Sequence, residues 1–184
     1  MLRTTAVAWA IAVLALGMPA IATAGAKRGA SGAGTCAGAY VVAKDAASLA
    51  KASTAVLCLV NAERTSRGLP GIRASAKLAG VARGHSEDMV ANRAVSHIGS
   101  AGSVQDRVTQ SGYRWRAVAE TLTWGASRRS MPLRLVASFM QSSMHRSILL
   151  DPIYRDLGVG LAAGMPAGSA AGTSATLTLV FARS

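Results

Sequence analysis

The chain has 184 residues, with 20 Lys and Arg against 8 Asp and Glu and a formal charge of +12 at pH 7. That length suits one domain with a real core, and the charge favours anionic partners, a cell-wall polymer or an acidic lipid surface, without naming one. Aromatics make up only 4% and the arginines are scattered, the tightest pair lying in "SRRS" at Ser127 to Ser130; nucleic-acid binding, which needs a concentrated basic stripe with stacking aromatics, is not expected.

The first 24 residues read as a secretory signal peptide: Arg3 in a short basic region, an apolar run from Ala6 to Gly17, and small residues in "AIATAGA" with cleavage after Ala24, Ala22 and Ala26 being alternatives. Gly17 and Pro19 interrupt that run well short of the roughly 20 residues a bilayer span needs. A secreted, extracellular, monomeric protein is the expectation. Residues 25–49 read as a flexible leader that carries Cys36, loosest in "GAKRGASGAGT", and residues 50–184 as the folded domain. Cys36 and Cys58 form an even pair in an exported chain, which points to a disulfide. The alternative is Cys58 as an unpaired core residue of an apolar helix.

Within the domain, "SLAKASTAVLCLVNAERTSRG" carries Val56, Leu59 and Val60 at helical spacing and stops at Gly68. "SAKLAGVARGHSEDMVANR" predicts a second helix with Leu78, Val81, Ala82, His85 and Met89 on one face, so His85 reads as a packed histidine with a local hydrogen-bond partner. A Gly/Ser loop, "VSHIGSAGS", precedes a short helix, "VQDRVTQSGY", ended at Gly112. "AVAETLTW" alternates as a strand bounded by Gly125. Pro132 opens the helix "PLRLVASFMQ"; a further short helix runs from Arg146 to Leu150, and "DLGVGLA" and "ATLTLVFA" close the chain as strands. Helices dominate early and strands late, an α+β pattern.

Taken together, "LCLVNAERTSRGLPGIR", "LAGVARGHSEDM", "VSHIGSAGS", "DRVTQSGYRW", "AETLTWG", "FMQSSMHRSILLDPIYRDLGVG" and "LTLVFA" resemble, in this order and at these intervals, the bacterial extracellular branch of the CAP superfamily, the cysteine-rich secretory and pathogenesis-related (SCP-like) proteins. The Cys36 to Cys58 spacing is similar to the form in which a leader cysteine is tied to the first helix. The resemblance implies an α-β-α sandwich with a central antiparallel sheet and an open cleft lined by two histidines and up to two acidic residues, which in some members hold a divalent metal. Carried over by motif, those positions are His97, Glu120 and His145. The fourth, a glutamate, has no match, since no Asp or Glu lies between Gly125 and His145. The family's Gly-Glu-Asn is here Ala119-Glu120-Thr121, its tryptophan before the serine pair is Phe139, and its Ser-Pro-Gly-His is Ser-Ser-Met-His.

Two neutral imidazoles and one carboxylate suit a borderline cation such as zinc, and a water bound to it could act as a nucleophile. There is no "HExxH" to mark a compact zinc-protease site. Without metal, His97 or His145 could serve as acid or base with Glu120 setting the tautomer; no "GxSxG" singles out a serine. The bland alternative is that the two histidines only hydrogen-bond across the cleft floor. A binding module whose cleft takes a divalent cation or a small polar or lipid ligand is expected, with a metal-assisted or acid-base hydrolase of peptide or cell-wall material as the alternative. His145 should face His97, and Arg146 should pair with Asp151 or Asp156.

Overall fold

Asp45 and Ser48 start the first helix by capping each other, with Ser48 N–H donating to Asp45 Oδ1 at 2.8 Å and Asp45 N–H to Ser48 Oγ at 3.0 Å. This helix, α1 (Ala46–Thr65), buries Val56, Leu59 and Val60, the residues its periodicity predicts, and Ala52 and Ala55 besides. The computed structural model describes residues 36–166 and 173–184. The signal peptide read over residues 1–24, and leader residues 25–35, lie outside the described residues. From Cys36 onward the chain is packed: Cys36, Ala39 and Ala43 are buried, and Leu133 N–H donates to Ala39 O at 3.0 Å. Cys36 and Cys58 are joined, leaving no free cysteine among the described residues. Closing a 22-residue separation stabilises by about 3 kcal/mol in the chain-entropy model.

Apart from β1, which the sequence reading did not anticipate, the remaining elements follow the predicted order. They are β1 (Arg73–Ala74), α2 (Ala76–Asn92), α3 (Val104–Gln110), β2 (Ala117–Ala126), α4 (Pro132–Gln141), α5 (Ser143–Leu150), β3 (Asp156–Ala163) and β4 (Ser174–Arg183). The sheet order is β1-β3-β4-β2. β4 is central and runs antiparallel to both β2 and β3, whereas two-residue β1 joins β3 in parallel, so the sheet is mixed rather than wholly antiparallel. Alternation along β4 separates two cores. Leu177, Leu179 and Phe181 pack with α1 and α4 on one face, and Val180 and Ala182 pack with Leu78, Ala82, Val104 and Val108 on the other. This is the α-β-α sandwich. Among the described residues no helix is long and apolar enough to cross a membrane.

Two features fix how the layers meet. α2 lies so close on β3 that a Cβ at Gly158 would fall 2.1 Å from the Leu78 carbonyl carbon, and one at Gly160 would fall 2.0 Å from Arg83 N. Ser86 locks the approach by donating to Gly160 O at 3.0 Å while its Oγ lies 2.8 Å from the Thr178 hydroxyl, from which it can accept. On the other side, fully buried Arg64 reaches from the end of α1 to Leu149 O (2.8 Å), Asp151 O (3.1 Å) and Pro70 O (3.1 Å), tying α5 and the turn before β1 to α1.

Two expectations need correction. α5 begins at Ser143, one turn before Arg146, because Ser142 caps it by accepting from His145 N–H at 3.4 Å; His145 therefore sits inside the first turn. Arg146 pairs with neither acid and donates to Met140 O at 2.9 Å. Asp156 is held instead by Arg73 and by Tyr113 Oη at 2.7 Å; burial, aided by this bond, pushes the Tyr113 phenol up to about 12.

The close contact of α2 with β3 makes a two-sided prediction. Gly160→Ala should destabilise by about 3 kcal/mol or more, since backbone rather than a flexible side chain blocks the new methyl. Gly84→Ala, in the same helix with nothing within 4 Å, should stabilise by about 0.5–1 kcal/mol. Urea denaturation of both variants checks this, and similar stabilities for the two would contradict it.

Candidate functional site

The strand alternation that builds the core also aims Glu120 at the α2–α3 layer, in register with Val180 of β4. Its side chain is 1% exposed, so its charge needs a partner. Arg107 of α3 supplies it, with Nη2 2.5 Å from Glu120 Oε2. The same guanidinium donates through Nη1 to Gly102 O at 2.5 Å and His97 O at 3.3 Å. One cation thus holds both the carboxylate and the loop that carries His97.

That loop is pinned at further points. Asp88 accepts from Ser100 N–H at 3.0 Å, Gly99 and Gly102 exchange backbone hydrogen bonds, and Ser103 and Asp106 form a capping box that starts α3. These contacts put His97 Nδ1 2.9 Å from Glu120 Oε1, while its side chain stays 57% exposed. A carboxylate can only accept, so Nδ1 carries the proton, and in the neutral ring Nε2 keeps its lone pair.

His85 was expected as a packed histidine with a local partner, and it is buried, with Nε2 donating to Ser96 O at 2.8 Å. The α2 stripe also brings Nε2 to 3.7 Å from Glu120 Oε1, which periodicity alone did not indicate. Among the described residues its Nδ1 and Arg107 Nε have no hydrogen-bond partner. Both side chains also line a recess of about 520 Å³ between α2 and α3, walled by Gly80, Val81, Gly84 and Ala101. Burial holds the His85 imidazole below its ordinary value, against the opposing pull of Glu120.

His145 belongs to the other layer. It is half-buried in the first turn of α5, edge-on to Phe139 with ring centroids 5.4 Å apart. Burial pushes its imidazole down, and the proximity of His97 adds to the shift. The two histidines sense each other's charge, yet among the described residues no hydrogen bond joins the His145 ring to His97 or Glu120. The structure therefore joins His97 directly to Glu120, sets His145 near His97 without a bond, and adds Arg107 and His85. Among the described residues no group of three or more His, Cys, Asp or Glu side chains stands ready to hold a metal. Sequence reasoning missed Arg107, although a signal existed: it lies beside Val104 and Val108 on the packed face of a short helix, where a cation requires an acid.

Comparison with known proteins agrees with this architecture. The sequence matches the model of the cysteine-rich secretory protein family, CAP, over residues 57–174. An uncharacterized membrane protein, YlbC, of Bacillus subtilis (strain 168) is 32% identical over 107 residues, which cover 58% of this chain and 30% of that protein. Among solved structures, an extracellular protein containing a SCP domain from Bacillus anthracis aligns with a TM-score of 0.62 at 23% identity, covering 77% of this chain and 45% of that one. An outer surface protein from Borrelia burgdorferi aligns at 0.58 and 15% identity, covering 70% and 89%. A cysteine-rich secretory protein from Staphylococcus aureus aligns at 0.57 and 17% identity, covering 77% and 41%. At these identities the structural likeness is one of fold. The chain spans under a third of the curated relative and under half of the Bacillus anthracis and Staphylococcus aureus chains.

Burial separates the expected effects of two site substitutions. Glu120→Gln leaves Arg107 buried and unpaired and should destabilise by about 3–5 kcal/mol, whereas exposed His97→Ala should cost about 0.5 kcal/mol or less. Denaturant midpoints measure both, and equal losses would make His97 a structural support.

A pH dependence follows from His85. Its folded-state pKa is depressed, so the unfolded chain takes up the proton first as pH falls. Its contribution to stability is complete above about pH 6.5 and is lost as pH drops through the folded-state value. Stability should fall as pH drops below about 6.5, and His85→Gln should flatten that slope. An unchanged slope in the variant would assign the effect to other groups.

Proposed function

We propose that this chain, which belongs to the cysteine-rich secretory protein (CAP) family, is a secreted binding module whose cleft takes a small polar ligand, a lipid headgroup or a divalent cation between His97 and His145. The oxidised cysteine pair fits an extracellular setting. The observation that carries the reading is the Arg107–Glu120–His97 chain of contacts. It fixes one His97 tautomer and leaves an exposed Nε2 lone pair, as carboxylates do for ligand-binding histidines. His145, held below the usual imidazole range, is neutral at pH 7 and offers a second lone pair.

Glu120 does not fit the role of a direct metal ligand, because Arg107 engages one oxygen and His97 the other. A guanidinium at that distance also opposes a second cation. A divalent metal such as zinc would be held by the two imidazoles and water, with Glu120 behind His97 as the orienting group. Bound there, it would polarise a ligand oxygen or acidify a water.

The hydrolase alternative rests on the same His97–Glu120 contact, which resembles a base with its orienter. Among the described residues no serine or threonine hydroxyl bonds the imidazole ring of His97 or His145, so water would be the nucleophile.

Zinc titration by calorimetry tests the binding reading. His97→Ala and His145→Ala should each weaken binding by at least about tenfold. Wild-type affinity in His145→Ala would remove that residue from the site. Turnover of peptide or cell-wall fragments that disappears in His97→Ala would favour the hydrolase instead.

A further inference from the structure

The tightest basic pair in the sequence, Arg128 and Arg129, plays no part in the cleft. Both sit on a 3-10 turn, Ser127–Ser130, that is rigidly placed: Ser130 is buried and donates to Ser127 O at 2.7 Å, and Gly125 packs directly against the Arg129 carbonyl. α4 carries Arg134, Ser138 and Gln141 at i, i+4 and i+7, one face of that helix. With Trp124 of β2, 40% exposed, these residues line a concavity of about 430 Å³, within the size range of small-ligand sites.

The three guanidiniums have no internal counter-ion. The chain has only 8 Asp and Glu, all among the described residues. Glu63, Glu87, Glu120 and Asp156 pair with Arg67, Arg83, Arg107 and Arg73. Asp45, Asp88, Asp106 and Asp151 accept from nearby backbone N–H groups. None pairs with Arg128, Arg129 or Arg134, and no side-chain hydrogen bond engages these arginines among the described residues. Three exposed like charges around one hollow repel one another, and an anion from outside would relieve that repulsion.

The geometry points to a second binding site here, for a saccharide bearing carboxylate or phosphate groups: the arginines take the charge, the exposed Trp124 indole stacks on a sugar face, and the Gln141 amide meets hydroxyls. A concave hollow with one aromatic wall suits a discrete sugar better than a flat lipid surface. Trp124 lies four residues along β2 from Glu120, about 13 Å at the usual strand rise, so this site is separate from the His97 cleft.

Calorimetry with a galacturonate tetrasaccharide tests the proposal. Saturable binding is expected, absent for the neutral methyl ester and unchanged in His97→Ala. It should weaken at least about tenfold in Arg128→Ala/Arg129→Ala/Arg134→Ala and in Trp124→Ala. A control, Lys51→Ala/Arg83→Ala/Arg116→Ala, removes the same charge from three other places and should bind as wild type. Equal loss in both triple variants would mean nonspecific attraction to a basic protein and would overturn the site. So would full binding in Trp124→Ala, or binding to phosphatidylglycerol vesicles with none to the saccharide. Melting temperatures close to wild type in each variant confirm that folding is not being read instead.

Discussion

The buried ion pair between Glu120 and Arg107 is the constraint on which the cleft depends. A carboxylate 1% exposed must be matched, and its match is a guanidinium 6% exposed on a different element. Burying such a pair gains little over a well-packed apolar substitute, because both charges lose their hydration. Its consequence is selective: only one placement of α3 and of the loop before it satisfies both groups. Arg107 also grips His97 O and Gly102 O, so the same charge that neutralises Glu120 holds the histidine over it.

The two layers of the sandwich supply opposite walls of the site. Gly158 and Gly160 let α2 settle onto β3, and this depth brings His85 to the inner side of Glu120. Across the sheet, Arg64 fixes the C-terminal end of α5 through the carbonyls of Leu149 and Asp151, while Ser142 caps its start and orients His145. β2 lies at the edge of the sheet, where both layers are accessible. A functional carboxylate on that strand can therefore meet groups from either side.

Much of this was legible in the sequence where local rules apply. Pro132 marked the start of α4, Gly112 the end of α3, and the apolar stripe of α2 put His85 indoors. The ordered family motifs added His97 and Glu120, whose 23-residue separation carries no local signal. What stayed illegible was long-range pairing. Two-residue β1 has no periodicity to read, and its parallel registration with β3 depends on residues more than 80 positions away. Arg146 looked like a partner for Asp156 because the two are near in sequence, but Arg73 and Tyr113 reach that acid through the fold. His85 was placed by its stripe, yet its neighbour Glu120 comes from another element entirely.

The scarcity of acids sharpens the division between fold and surface. Eight carboxylates serve 184 residues, and each is engaged: Asp45 and Asp106 cap helices, Asp88 pins the His97 loop, Asp151 shapes the turn before β3, and the glutamates and Asp156 meet arginines. Removing an acid therefore disturbs a cap, a loop or a pair. Removing an exposed arginine without a partner disturbs little of the fold, because surface charges contribute little stability on their own. The negative charge of this protein is thus committed to its architecture, while much of its positive charge is directed outward, where it can act only on something other than the chain itself.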